Sequence, residues 1–184
     1  MKELRNKNLI KKILSKMPLI ILFLSVLNNY DLNYLGLKYF SFNFSYILIF
    51  YYSLKRNESL SLVSIFIAGL FNDVVSGLPM GTSSLIYLLL CGAAAYLRNI
   101  TLSPSLFKDW IFFLVTILCL NSLSFIILNF FFNFEIVYFD EIINVIFTVL
   151  FYLIFSYFFK FIERFLLGNY YARWQLYWNK NSNY

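Results

Sequence analysis

The chain contains no histidine. That absence removes the commonest general base, the commonest metal ligand and the Ser–His and Cys–His routes to an activated nucleophile. Charge is scarce too. Only 13% of the 184 residues are charged, whereas a soluble domain carries about a quarter. With 61% hydrophobic residues and only 3 prolines and 6 glycines to interrupt them, the composition excludes an ordinary soluble core and assigns the chain to the membrane class. The 2 cysteines, Cys91 and Cys119, both fall inside apolar runs. They are expected to be small buried hydrophobes rather than a disulfide or a metal pair.

What is present is a succession of apolar runs over about 17–30, 39–54, 60–77, 82–97, 110–132 and 142–162. The length suits roughly six spans of about 20 residues, with no separate soluble domain, so 1–184 reads as one integral membrane domain. Hydrocarbon offers no hydrogen-bond partners, so each run is expected to be a helix. The runs lack period-two alternation, which excludes a porin-like barrel. The predicted class is therefore all-α: a polytopic membrane protein of six transmembrane helices. Residues 1–16 carry Lys2, Arg5, Lys7, Lys11, Lys12 and Lys16 against Glu3. They precede an apolar run that ends in Asn28, Asn29, Tyr30 and Asp31 without a small-x-small cleavage site, so it reads as an uncleaved first span.

Charge orients the bundle. With six spans, every basic residue except Lys38 falls on the side of the two termini, while Asp31, Glu135, Asp140 and Glu141 fall on the other. The positive-inside rule places both termini in the cytoplasm. The basic cluster beside a membrane, with no reading module, points to anionic lipid and argues against nucleic acid. In the tail, 165–184, the residues Leu167, Tyr170, Tyr171, Trp174, Tyr177 and Trp178 recur at helical spacing. This is an amphipathic cytoplasmic helix, read either as an interfacial anchor through Tyr170, Tyr171, Trp174 and Trp178 or as a docking surface.

One stretch breaks the apolar monotony: GLFNDVVSGLPMG, from Gly69 to Gly81. Gly69, Asp73 and Gly77 are spaced by four, as are Ser64, Ala68, Asn72 and Ser76, so these residues form one small, polar stripe on a helix. Val63, Ile67, Leu70, Phe71 and Val74 cover the other side. Such stripes join membrane helices, since small residues let backbones approach and polar ones hydrogen-bond across. The next span is expected to repeat the device with Cys91, Gly92, Ala93, Ala94 and Ala95. Asp73 needs partners at that depth. The free amides opening the fourth helix, at Thr82 to Ser84, are the expected ones, with hydroxyls from Ser83 or Ser84. Gly77 and Gly81 are expected to supply unusual backbone angles and Pro79 to stiffen the turn.

A catalytic role for Asp73 would require a second carboxylate sharing its proton. The remaining acids, Glu58, Asp109, Glu163 and those named above, read as loop or tail groups at the membrane edges. No catalytic residue, cofactor site or metal site is expected, and Asp73 reads as a fastener ahead of a ligand or lipid contact.

The run Gly69, Asp73, Gly77, Pro79, Met80, Gly81 resembles the signature of the rod-shape-determining MreD family, where it marks the junction of the third and fourth spans. The stretch IFYYSLKRNESLSLVSIFIAGL is similar to the region before that junction, and the specific likeness covers about Ile47 to Leu97. The resemblance implies a non-enzymatic scaffold of the bacterial elongation complex in the inner membrane. It implies binding to the single-span protein MreC and a link from MreB to RodA and penicillin-binding-protein wall synthases. It further implies a fold similar to the substrate-binding subunits of energy-coupling-factor vitamin transporters. A solute- or vitamin-binding transporter subunit of that shape is the alternative function.

Overall fold

A computed structural model describes residues 16–26, 42–55, 60–100, 105–133 and 138–181, with side chains of the last helix over 139–162. Among the described residues every regular element is a helix: α1 (Lys16–Val26), α2 (Phe44–Lys55), α3 (Leu62–Ser76), α4 (Thr82–Ile100), α5 (Leu106–Phe132) and α6 (Tyr138–Asn181). The all-α class expected from the apolar runs is therefore found. Among the described residues, three segments are long and apolar enough to cross a membrane: Thr82–Ile100, Leu106–Phe132 and Phe139–Ile162. By the same criterion α1 and α3 are shorter apolar helices. At 1.5 Å per residue α2 extends only about 18 Å.

The short α2 is the centre of the bundle. Ile47, Leu48, Ile49, Phe50 and Tyr51 are buried on successive positions, so the helix is covered on all sides, as befits one that is apolar all round. Phe50 packs against Phe113 of α5 and Tyr152 of α6, and Tyr51 and Tyr52 pack against Phe159 of α6. Ser45 meets Ser25 of α1 through a hydroxyl pair at 2.8 Å. Against this core α4 packs on α2, α3 and α5. The Trp110 Nε1–H of α5 donates to the Val149 carbonyl of α6 at 3.0 Å.

The end of α2, the end of α4 and the start of α5 meet at one pole. The Lys55 ammonium pairs with Asp109 at 2.6 Å, the Arg98 guanidinium donates to the Ser53 carbonyl at 3.1 Å, and Ser53 Oγ donates to Cys91 Sγ at 3.3 Å. Asp109 is thus not a loop residue: it lies in the first turn of α5 and is buried, and Ser105 caps that helix by accepting from the Lys108 amide. Asp140 and Glu141 likewise belong to the first turn of α6 rather than to a loop. Cys91 is buried as expected, whereas Cys119 is exposed. No separate helix forms the tail. α6 runs on unbroken through 163–181, and the side chains of Tyr170, Tyr171, Trp174 and Trp178 lie outside the described ones.

Candidate functional site at the Asp73 turn

Helix α3 stops because Gly77 adopts the left-handed conformation, with φ 64°. The Leu78 amide then donates back to the Asp73 carbonyl at 2.9 Å, which satisfies a carbonyl that the ending helix leaves open. Pro79 follows two residues later, where it cannot resume the helix. Gly81 turns the chain again with φ 99°, a backbone open to glycine and strained for other residues.

The first hydrogen bond of α4 runs from the Leu85 amide to the Gly81 carbonyl at 2.9 Å. Gly81 therefore occupies the N-cap position, yet it has no side chain with which to cap. Ordinarily a Ser, Thr, Asp or Asn at that position accepts from the amide two or three residues on. Here the acceptor comes from the preceding helix instead. Asp73 Oδ1 accepts from the Ser83 amide at 2.8 Å, and Oδ2 accepts from the Gly81 amide at 2.7 Å. The Thr82 hydroxyl lies 3.0 Å from Oδ1 and 2.8 Å from the Pro79 carbonyl. The carboxylate is fully buried, at 0% exposure, and sits against the positive end of the α4 dipole. Its two oxygens already hold their partners. Through them the end of α3 is joined to the start of α4.

The hydroxyls differ from those expected. Thr82 serves the carboxylate, while Ser83 Oγ accepts from Asn72 Nδ2 at 2.9 Å and Ser84 Oγ donates to the Phe66 carbonyl at 3.0 Å. Both serines thus tie α4 to α3 beside the cap. Gly69 lies where the two backbones cross. A Cβ built there would come within 2.6 Å of the Ser84 backbone nitrogen, so only glycine permits this approach. Ala68 is buried, and Ser64, Asn72 and Ser76 are half-buried. Val63, Ile67, Phe71 and Val74 are exposed. The two faces of α3 divide as the spacing predicts except at Leu70, which is half-buried, and Gly77, which is exposed.

The device on α4 is narrower than its sequence suggests. Cys91 and Ala94 are buried, but Gly92 is exposed with no atom within 4 Å of an added Cβ. Missing from the sequence reading were the Asn72–Ser83 tie and the Lys55–Asp109 pair. Asn72 was legible as part of the polar stripe, whereas no local signal joins residues as distant as Lys55 and Asp109. Comparison of the chain with protein-family models, with curated proteins and with solved structures finds no match in any of the three.

Proposed function

We propose that the chain is a non-enzymatic, six-span scaffold of the bacterial inner membrane, with both termini in the cytoplasm. In this reading it belongs to the wall elongation complex, binds an MreC-like single-span protein and links MreB to RodA and penicillin-binding-protein synthases. Helices α1, α2 and α3 would complete the six spans beside the three long ones, in a fold like that of energy-coupling-factor substrate-binding subunits. The observation that carries the proposal is the closed Asp73 junction. The residues that resemble the MreD signature, Gly69, Asp73, Gly77, Pro79 and Gly81, come together as a rigid hairpin whose carboxylate is saturated by Gly81, Thr82 and Ser83. A saturated fastener suits a protein that works by helix association.

Depletion in a rod-shaped host tests this reading. The expected outcome is rounding of the cells, together with loss of a co-purifying single-span partner. Normal shape with vitamin auxotrophy would instead favour the solute-binding subunit.

A further inference from the structure

The two legs of the α3–α4 hairpin are short. α3 has 15 residues, about 22 Å of helix, and from Arg98 back to Thr82 α4 covers about 24 Å. Arg98 belongs to the charged pole, since it reaches the carbonyl of Ser53, two residues before the Lys55 that pairs with Asp109. From the same pole α5 runs from Asp109 to Phe132, about 34 Å. Hydrocarbon is about 30 Å thick. A bilayer that begins at the pole is crossed by α5, whereas the hairpin ends several ångströms short of its far side.

The turn is built for such a place. No charged residue lies between Asp73 and Arg98. The turn holds Leu78, Pro79 and Met80, and Met80 is 73% exposed, as are Val74 and Val75 beside it in large part. A turn in water leaves its free amides to solvent, but hydrocarbon supplies no acceptor. Here the amides of Gly77 and Leu78 donate to the Asp73 carbonyl and that of Thr82 to the Pro79 carbonyl. Those of Gly81 and Ser83 donate to the Asp73 carboxylate, and Pro79 has none to donate. The polar atoms point inward and the apolar side chains outward.

We propose that this turn lies inside the bilayer, with Leu78, Pro79 and Met80 against the acyl chains of the leaflet opposite the charged pole. The buried carboxylate then replaces the water that ordinarily satisfies a helix start. A partner that touches the hairpin does so with a membrane-spanning segment, not with an aqueous domain. The inference needs only the membrane setting and is independent of the elongation-complex reading.

Single cysteines test the depth of the turn. Met80→Cys, Asn99→Cys and Phe132→Cys each replace an exposed side chain. Each is placed in the full-length chain carrying Cys91→Ser and Cys119→Ser, then purified and reconstituted into phosphatidylcholine vesicles. With a charged maleimide on both sides of the bilayer, Asn99→Cys and Phe132→Cys react, while Met80→Cys reacts at least about tenfold more slowly until the protein is unfolded in SDS, because the thiolate forms only in water. A bimane attached to the Met80→Cys thiol before reconstitution is quenched by phosphatidylcholine brominated on its acyl chains and not by iodide. Reaction at Met80→Cys as fast as at the other two positions, or quenching by iodide, puts the turn in water and overturns the proposal. Quenching by neither agent overturns it too, since the turn would then be covered by something other than lipid.

Discussion

Two glycines with similar sequence surroundings have opposite expected behaviour. Gly69 and Gly92 both lie in helices beside small residues, and both spacings read as close-approach devices. The Gly69 backbone touches Ser84, whereas Gly92 faces open space. Gly69→Ala is therefore expected to destabilise the protein by about 1–3 kcal/mol through overpacking. Gly92→Ala is expected to stabilise it by about 0.5–1 kcal/mol, since alanine is the better helix former. Reversible unfolding of the purified protein in detergent measures both. The spacing in the sequence identified a small-residue face on each helix but not what lies against it. For Asp73 more was legible. A lone acid one turn before a Gly-x-Pro-x-Gly break, just ahead of a helix start, defines both the unsatisfied acceptor and the nearest unsatisfied donors. Which hydroxyl joins them was not legible, because Thr82, Ser83 and Ser84 are adjacent and only the turn geometry separates them.

Among the elements, α2 departs most from expectation. An apolar stretch of about sixteen residues, 39–54, suggests an ordinary span, but the helix is Phe44–Lys55 and is buried on every side. Its aromatic residues give no polar face, and that lack was the available sign of a central helix. At its last turn, Lys55 closes on the buried Asp109 of α5. Removing one member leaves the other without its counter-charge in a poorly solvated place. Lys55→Met is accordingly expected to cost about 3–5 kcal/mol, and the double variant with Asp109→Leu is expected to recover much of that loss. A double-mutant cycle on the detergent-solubilised protein reads the coupling, and additive losses would rule out a direct pair. Asp109 was read as a loop group, although Ser105 four residues before it is of a type that caps helices. Its partner was not, because the two positions lie on different helices.

For the whole molecule, element type and order follow from the apolar runs and from the few punctuating residues. Gly77, Pro79 and Gly81 fix the α3–α4 break, which the structure reproduces at Ser76 and Thr82. The end of α6 had no comparable marker. Between Lys160 and Asn181 the chain offers no proline, and its only glycine, Gly168, is tolerated in a helix interior at about 1 kcal/mol. A separate tail helix was expected from the amphipathic spacing of Leu167 to Trp178, but without such a break the backbone continues as one helix of 44 residues. That helix extends about 66 Å, roughly twice the hydrocarbon thickness. Side-chain packing across the bundle, such as Phe50 between Phe113 and Tyr152, leaves no trace in local sequence and could not be read there.

The most direct measurement compares the wild type with Asp73→Asn and Asp73→Ala, each as the full-length chain in a depleted rod-shaped host, for membrane abundance and for unfolding after purification. Alanine strips the carboxylate from the buried Ser83 amide and the part-buried Gly81 amide, with an expected loss of about 2–4 kcal/mol. Asparagine keeps one acceptor for Ser83 but turns a donor toward Gly81, so its stability and abundance should fall between the other two. Cell shape should then follow the amount of folded protein. Normal abundance and stability in Asp73→Ala, with cell shape lost all the same, would contradict the account, because that carboxylate would then serve a partner or ligand rather than its own fold.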